Sequence, residues 1–456
     1  MTAHPALADA AHCLAALYDL QHEQPERCLM PNPASGEPMN VSLIIPRSYD
    51  DLMRRHAGIE AIAERTLGVM GRSPDYVNVT LAGFAGCRDA WAINGNDEGA
   101  ANLVAFYQEV AARDLCLTHA LINQPIDKAV PEHTTGGGEF VLHKVAETAN
   151  GIVVRGARSL ATLAPFSDEM VVYPGQPIDK DARPYALTFS VPMNTPGMKI
   201  FCRDSYSLPG SRFDHPFSSR FDEQDAIVVF DDVEVPRHRV FIDGDTEIYK
   251  TVMRTTWQAN LLQQTTLRAQ VKLDFAYQLV SRMVEVLNAA TPQNNELLGE
   301  LLSYDLLTRA ALRAAEADAH EWGNGVWFCD DGPFRAIQPT MPRWIPRVNE
   351  IIKLLGAHSL LATPTASERA NPALRPFIDK CYSGANGVQA EERIGLFRAA
   401  WDLVGTALGG RNELYERFYL ASSSRNFQRA HLAEQNRRNG QHPLLDRVLA
   451  REEPAS

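Results

Sequence analysis

The chain has 456 residues, of which 45% are hydrophobic, and its formal net charge at pH 7 is -12. This length allows two or three domains or one large multilayer unit, and the hydrophobic fraction is enough to bury a sizeable core. The acidic balance argues against binding to nucleic acid or to an anionic membrane surface.

The N-terminal stretch MTAHPALADAAHCLAALYDL lacks the basic region and cleavage site of a signal peptide, and it predicts an amphipathic helix. No apolar run in the chain reaches the roughly 18 residues that a membrane span requires. The seven cysteines are scattered and form no C-x-x-C pair, which is typical of unpaired thiols. We therefore expect a cytoplasmic protein.

Residues 1–117 have mainly helical patterns. The segment SYDDLMRRHAGIEAIAERTLGVMG has apolar residues three and four apart and predicts a helix capped by Ser48. The segment NLVAFYQEVAARDLCLTHALI predicts a second helix over 102–122. The stretch between them, RSPDYVNVTLAGFAG, predicts a loop over 72–86.

Residues 118–246 predict a β-rich domain. The segment GGGEFVLHKVAETANGIVVRGARSLATLA alternates in polarity and turns at Asn150 and Gly151, a dipeptide that favours hairpins. The segments YALTFSVPM, MKIFCRDSY and AIVVF predict further strands. In RFDEQDAIVVFDDVEVPRHRVF, residues 220–241, acidic residues flank the last of these strands, which is expected to break at Asp231 and Asp232.

Residues 247–456 return to helical patterns, with helices predicted over 255–290, 294–321, 344–360 and 389–407. The chain therefore predicts three domains, at 1–117, 118–246 and 247–456. A β-domain held between helical domains is one way to form a large cleft. Nucleotide-binding loops of the Walker and Rossmann types, the G-x-S-x-G motif and the H-E-x-x-H motif are absent from the sequence.

Seven separated segments are similar to one known family. The stretch SSRFDEQDAIVVFDDVEVPRHRVF closely resembles the corresponding segment of the 4-hydroxyphenylacetate 3-hydroxylase family, the oxygenase components of two-component flavin monooxygenases. The other six, in chain order, are HPALADAAHCLAALYD, GRSPDY, LTHALINQPIDK, GIVVRGARSLATLA, YSGANG and GTALGGRNELYE. The resemblance implies an α+β, acyl-CoA-dehydrogenase-like fold with an N-terminal helical domain, a central β-barrel and a C-terminal helical bundle.

The resemblance also implies the reaction. Reduced FAD would react with O2 to form a flavin C4a-hydroperoxide, which hydroxylates a 4-hydroxyphenyl compound next to its OH group to give a catechol. A separate NAD(P)H:flavin reductase would supply the reduced FAD. The long helices after 251 and the related fold lead us to expect a homotetramer, and no metal is expected.

Three residues match the catalytic and substrate-binding positions of the family. They are Arg72 and Tyr76 in GRSPDY, and His119 in LTHAL. An imidazole can accept a phenol proton near neutral pH, a guanidinium can stabilise an anion, and a tyrosine OH can bind the phenol. Asp222, Glu223 and Asp225 are expected to pair with neighbouring charges rather than to act in catalysis.

The resemblance places flavin and substrate contacts in four further regions. The expected cofactor contacts are His119, Leu121, Pro125, Ile126, Asp127, Lys128, Thr162, Gly409, Gly410 and Arg411. Lys128 stands where the family usually has arginine. The Gly-Gly-Arg stretch is expected to hold a pyrophosphate, through close backbone approach and one cation. Substrate contacts are expected at Gly210 and Ser211, in a loop over 205–216 that looks shorter than in phenylacetate hydroxylases.

Other activities on similar folds remain as alternatives. Halophenol monooxygenases of the family are expected to use a further histidine in the first long C-terminal helix, and TTWQANLLQQTTLRAQ contains none. A dehydratase acting on 4-hydroxybutyryl-CoA would need converging cysteines, with a C-x-x-x-C pair that this chain lacks. An acyl-CoA dehydrogenase would use a carboxylate base in the C-terminal bundle.

Overall fold

The computed structural model describes residues 7–124, 126–175, 178–207, 211–255, 257–418 and 421–449. Helices come first, strands follow, and a second set of helices completes the chain. The expected order of helical, β and helical regions is therefore confirmed. The expected domain limits at 117/118 and 246/247 stay a prediction, because the core around Tyr76 and Phe84 also includes Leu261 from the C-terminal helices.

The N-terminal region contains helices and one short hairpin. Its elements are α1 (Ala8–Glu23), α2 (Pro25–Cys28), β1 (Leu29–Pro31), β2 (Pro38–Asn40), α3 (Tyr49–Thr66), α4 (Pro74–Gly86) and α5 (Asp97–Arg113). The predicted cap is confirmed, since the Ser48 side chain accepts a hydrogen bond from the backbone N–H of Asp51 at 3.2 Å. The helix predicted at the N-terminus is confirmed as α1.

Two expectations for this region are wrong. The stretch predicted as a loop forms α4, with Pro74 at its first turn, where the missing N–H of proline costs nothing. Almost every α4 residue is buried, so no polar face reveals the helical period. The helix predicted over 102–122 ends at Arg113, because Asp114 adopts a left-handed conformation with φ of 48° and a strand begins at Leu117.

The middle region contains two four-stranded sheets. Its strands are β3 (Leu117–Ala120), β4 (His143–Glu147), β5 (Gly151–Arg158), β6 (Glu169–Val172), β7 (Leu187–Pro192), β8 (Met198–Cys202), β9 (Ala226–Pro236) and β10 (Val240–Asp243). One sheet has the order β10-β7-β6-β3 and the other β4-β5-β9-β8. The hairpin predicted at Asn150 and Gly151 joins β4 to β5.

The two sheets pack face to face, as shown by Phe189 and Phe230, whose ring centres lie 5.9 Å apart. Within the described residues neither sheet closes into a barrel, which corrects the expected β-barrel. Each sheet turns one apolar face towards the other, and the sheet that contains β3 also buries its second face against the helices. Burying the two facing surfaces on each other requires no pairing of their edge strands.

Strand β9 continues through the acidic pair at which a break was expected. Asp232 adopts a left-handed conformation with φ of 51°. Before it the buried residues alternate up to Phe230, and after it they alternate again from Val233. On the partner strand, Gly156 pairs with Phe230 and Val154 with Val233. One extra residue therefore forms a bulge, which keeps the apolar side chains inward while both aspartates face solvent.

The C-terminal region is a bundle with one small hairpin. Its elements are α6 (Thr246–Thr255), α7 (Trp257–Val286), α8 (Pro292–Ala317), β11 (His320–Gly323), β12 (Val326–Phe328), α9 (Gly332–Ile337), α10 (Met341–Gly356), α11 (Ala366–Ala370), α12 (Arg375–Cys381), α13 (Ala390–Val404), α14 (Ala407–Phe418), α15 (Ser423–Arg438) and α16 (Pro443–Leu449). The predicted helices correspond to α7, α8, α10 and α13. No helix among the described residues is long and apolar enough to cross a membrane.

Candidate active site

Arg72 and Tyr76 form the first part of the site. Arg72 lies just before α4, and Tyr76 lies in the first turn of that helix, fully buried. The guanidinium carbon of Arg72 is 3.8 Å from the centre of the Tyr76 ring, an attractive cation–π distance. The start of α4 at Pro74 therefore brings the two predicted residues together.

His119 reaches the same place from the middle region. It lies on β3, which pairs with β6 in parallel, and its side chain is 3% exposed. Its ring centre is 5.3 Å from that of Tyr76 and 5.6 Å from that of Tyr173. Among the described residues, Nδ1 of His119 has no hydrogen-bond partner. The three predicted catalytic residues thus meet at a junction between the helical and β regions.

The electrostatic setting suits a proton acceptor beside a proton donor. Burial lowers the pKa of His119 well below its usual range, and the positive charge of Arg72 lowers it further. Burial raises the pKa of Tyr76, although the guanidinium of Arg72 acts in the opposite direction. Near neutral pH the imidazole is therefore uncharged and one of its ring nitrogens has a lone pair for a phenol proton, although the lowered pKa makes it a weak base, while the tyrosine keeps its proton.

Tyr415 on α14 extends the site towards the C-terminal bundle. Its ring centre is 5.2 Å from the guanidinium carbon of Arg72 and 4.3 Å from that of Arg411. A methyl group added at Gly71 would overlap with the Tyr415 ring, so only glycine allows this close approach.

The acidic residues before β9 connect the predicted sites. Arg411 binds both oxygens of Asp225, at 2.9 and 2.6 Å, and also binds Glu223. Glu223 accepts a hydrogen bond from the backbone N–H of Arg72, and Asp225 accepts one from Oγ1 of Thr162 at 3.0 Å. The expectation that these acids pair with neighbouring charges is confirmed.

This pairing determines where Arg411 points. Burial works against its charge, but Glu223 and Asp225 raise the pKa of Arg411 well above its usual value. Gly409 and Gly410 lie in the first turn of α14; a side chain at 409 would meet the backbone O of Leu403 at 2.8 Å, whereas one at 410 would meet nothing within 4 Å. The guanidinium already binds two carboxylates, and the N–H of Gly410 donates to the backbone O of Thr406 at 3.0 Å, so the pyrophosphate contact at these residues stays a prediction.

The other predicted cofactor contacts lie in the loop after β3. The backbone O of Leu121 accepts a hydrogen bond from Arg158 at 3.0 Å, and Oδ1 of Asp127 accepts one from the N–H of Ala129 at 2.8 Å. Ile126 and Lys128 are exposed, and Pro125 lies outside the described residues. The side chains at 126 and 128 are therefore open to a ligand.

The predicted substrate loop is fixed at both ends. Ser207 donates to Asp9 on α1 at 2.7 Å, and the N–H of Tyr206 donates to Asp222 at 2.8 Å. At the other end Ser211 donates to Asp214 at 3.0 Å. Gly210, the other predicted substrate contact, lies outside the described residues.

The sequence did not identify Tyr173 or Tyr415 as part of the site, and it gave Glu223 only a structural role. Tyr173 comes directly after β6, and only the pairing of β6 with β3 brings it to His119. Tyr415 lies in the family-like segment GTALGGRNELYE, but its contact with Arg72 involves a residue far away in the chain and could not be read from that segment.

The comparisons with known proteins cover almost the whole chain. Residues 1–242 match the family described as 4-hydroxyphenylacetate 3-hydroxylase N terminal, and residues 249–449 match its C terminal counterpart. The 4-hydroxyphenylacetate 3-monooxygenase oxygenase component of Thermus thermophilus is 35% identical over 94% of this chain and 88% of the relative. A Rhodococcus 4-nitrophenol 2-monooxygenase, oxygenase component, is also 35% identical, over 92% of this chain and 81% of the relative.

Solved structures agree with these matches. The oxygenase component (HpaB) of 4-hydroxyphenylacetate 3-monooxygenase, complexed with FAD and 4-hydroxyphenylacetate, superposes with a TM-score of 0.91 at 33% identity, over 98% of this chain and 92% of that chain. An archaeal 4-hydroxybutyryl-CoA dehydratase superposes with a TM-score of 0.88 at 14% identity, over 100% of this chain and 91% of that chain, which shows a shared fold alone. The chain therefore belongs to the 4-hydroxyphenylacetate 3-hydroxylase family, the oxygenase components of two-component, flavin-dependent aromatic monooxygenases.

Proposed function

We propose that this protein uses reduced FAD and O2 to hydroxylate a 4-hydroxyphenyl compound next to its OH group, giving a catechol. The observation that carries the proposal is the meeting of Arg72, Tyr76 and His119 at one buried junction. A neutral imidazole, a fixed cation and a protonated tyrosine are the groups that a phenol needs for activation.

The described residues around His119 fit a flavin. Nδ1 of His119 is a buried polar atom without a partner among the residues that the structure describes. Ile126 and Leu160 are 51% and 52% exposed, and the pairing of Ile122 with Ser159 brings their two segments side by side. Two exposed apolar side chains on adjoining segments suit the apolar faces of an isoalloxazine, while Nδ1 of His119 stays available for the phenol.

Three further regions would hold the rest of the cofactor. The loop at 121–128, Thr162, and the first turn of α14 at Gly409 and Gly410 are the predicted contacts. Gly410 has open space where a side chain would be, and the N-terminus of a helix attracts phosphate. When bound, reduced FAD supplies the electrons that activate O2.

The chain's own residues would activate the phenol. Neutral His119 accepts the phenol proton at Nδ1, and loss of that proton makes the ring carbon next to the OH a stronger nucleophile. Arg72 stabilises the negative charge that develops on the phenol oxygen. Tyr76 forms a wall of the site through its ring. All three side chains are largely shielded from water, which strengthens these charge interactions.

A separate NAD(P)H:flavin reductase is the proposed partner, because the similar proteins are named as oxygenase components. The purified chain with FAD and NADH should oxidise no NADH beyond background. Adding a flavin reductase should start both NADH oxidation and catechol formation. NADH oxidation that depends on a phenol but needs no added reductase would contradict the proposal that a separate protein reduces the flavin.

The substrate is best identified by a panel of phenols. It should include 4-hydroxyphenylacetate, a 4-halophenol and 4-nitrophenol, each assayed with the reductase by chromatographic detection of the catechol. Exchanging residues 205–216 with the loop of a relative should change the preferred phenol and leave the dissociation constant for FAD within about twofold. Loss of FAD binding with unchanged preference would show that the loop serves the cofactor instead.

We also propose that four copies assemble and that they work in the cytoplasm. The C-terminal helices expose many large apolar residues, among them Leu354, Leu361, Phe377, Leu414, Phe418, Phe427, Leu432, Leu444, Leu445, Val448 and Leu449. Large exposed apolar surfaces mark protein interfaces. The free thiols of all seven cysteines support a reducing compartment.

A further inference from the structure

We propose that Tyr415 is a positioning residue for Arg72, and that Glu223 links this position to the C-terminal bundle. The inference rests on the proposed function, in which Arg72 acts on the oxygen of the phenol. Neither Tyr415 nor Glu223 contacts the phenol in this proposal; both act through Arg72.

The Tyr415 ring lies close to two guanidinium groups. The guanidinium carbons of Arg72 and Arg411 are 5.2 and 4.3 Å from its centre. Gly71, the residue before Arg72, approaches the ring so closely that an added methyl group would overlap with it. An arginine side chain has many rotamers, and confining it to one costs conformational entropy. The Arg72 guanidinium contacts two aromatic rings, that of Tyr76 at 3.8 Å and that of Tyr415. Because these contacts restrict its rotamers already in the folded protein, less conformational entropy is lost during the reaction.

Glu223 fixes the backbone beneath the same side chain. It is 1% exposed. One of its oxygens accepts a hydrogen bond from the backbone N–H of Arg72, and the other accepts one from Nη1 of Arg411. Arg411 is held in turn by Asp225. The position of Arg72 is therefore set by α14 through Tyr415 and through this bridging carboxylate, although Arg72 itself lies before α4.

The test compares Tyr415→Leu, which removes the ring, with Tyr415→Phe, which keeps it. In single-turnover hydroxylation with pre-reduced FAD, Tyr415→Leu should slow catechol formation about ten- to hundredfold, the effect of a small misplacement of a catalytic group. Tyr415→Phe should stay within about threefold of the parent. Equal loss in both variants would show that the hydroxyl acts directly and would overturn the proposal.

A second readout needs neither FAD nor turnover. Burial is the main cause of the low pKa of His119 and the Arg72 charge lowers it further, so a guanidinium that leaves its place should let that pKa rise. NMR titration of labelled histidines, with His119 assigned through His119→Asn, should show an upward shift in Tyr415→Leu and none in Tyr415→Phe. An unchanged titration in Tyr415→Leu would overturn the inference even if activity falls.

A double-mutant cycle separates positioning from general damage. If Tyr415 acts only through Arg72, then Arg72→Ala with Tyr415→Leu should be no slower than Arg72→Ala alone. Further slowing that multiplies the two single effects would contradict this. Tyr304→Leu is the matched control, since Tyr304 stacks on Trp344 at 4.9 Å and belongs to the same bundle without contacting the site.

The outcomes also separate this inference from the proposed function. A parent protein that makes no catechol refutes the proposed function, while the histidine titration still tests the positioning of Arg72. If Tyr415→Leu does not fold, Gly71→Ala replaces it, because the added methyl group must push the Tyr415 ring away. The same slowing and the same titration shift are expected, and their absence would refute the role of Tyr415.

Discussion

At the scale of single residues, His119 combines burial with a place beside Tyr76 and Tyr173. Its Nδ1 is one of several buried polar atoms without a protein partner in the described part of the chain, and here it lies at the predicted site, where a ligand can satisfy it. The rings of Tyr76 and Tyr173 both pack against the imidazole. We expect the residue to matter for proton transfer rather than for cofactor capture.

Substituting alanine for His119 should therefore slow hydroxylation by about a hundredfold, the usual range for a positioned general base. Oxidation of reduced FAD by O2 should continue, so NADH consumption with the reductase would yield hydrogen peroxide instead of catechol. Product and peroxide are quantified together in the coupled assay. His320→Ala, at an exposed histidine on β11, is the control and should leave both unchanged.

The pH profile should reflect the lowered pKa of His119. Because its pKa lies well below the ordinary value of about 6.5, the imidazole stays neutral as the pH falls through that value. The acid limb of the single-turnover rate should lie clearly below pH 6.5, and a limb at or above it would argue against His119 as the proton acceptor. In the unfolded chain the histidine protonates first, so its burial makes stability fall as the pH drops below about 6.5.

At the scale of elements, α14 and the segment before β9 hold the site together. Arg411, Glu223 and Asp225 form a buried ion-pair network between them, and burial makes a missing partner costly. Asp225 also binds Arg203, and these two arginines hold the pKa of its carboxyl far below the usual range, although burial acts in the opposite direction. The acids on the flank of β9 therefore connect the sheets to the bundle.

Removing the Arg411 side chain should destabilise the protein strongly. Arg411→Ala leaves Glu223 and Asp225 buried without their main partner, and breaking such a pair costs about 3–5 kcal/mol of the free energy of unfolding. Chemical denaturation followed by circular dichroism measures the change. Arg437→Ala removes an exposed ion pair with Glu434 and should change little; similar losses in the two variants would contradict the structural importance of the network.

At the scale of the whole molecule, exposed apolar surface on the C-terminal helices points to assembly. Leu444 and Val448 on α16 are 75% and 79% exposed, four residues apart on one helix face. Light scattering should give about four times the chain mass of 50.5 kDa. Leu444→Glu with Val448→Glu should lower the assembly state, whereas Phe201→Glu on β8 should not; a monomeric parent at micromolar concentration would refute the tetramer.

The sequence by itself determined the order of the regions, many helices and strands, and three residues that meet at the site. These features depend on local patterns. Examples are the cap at Ser48, the turn at Asn150 and Gly151, and motifs whose residues lie within a few positions of one another along the chain. Helix α4 was missed because a helix buried on all sides shows no polar face. The second half of the segment over 102–122 was misassigned because a buried strand resembles a buried helix in composition.

Only the tertiary structure decided how the motifs are connected. Arg72 and Tyr415 lie more than three hundred positions apart, and Glu223 joins Arg72 to Arg411 across the regions. Two stacked sheets instead of a closed barrel likewise depend on which edges pair. Such contacts depend on where distant elements pack, and a local sequence pattern records a residue's neighbours along the chain rather than its neighbours in space.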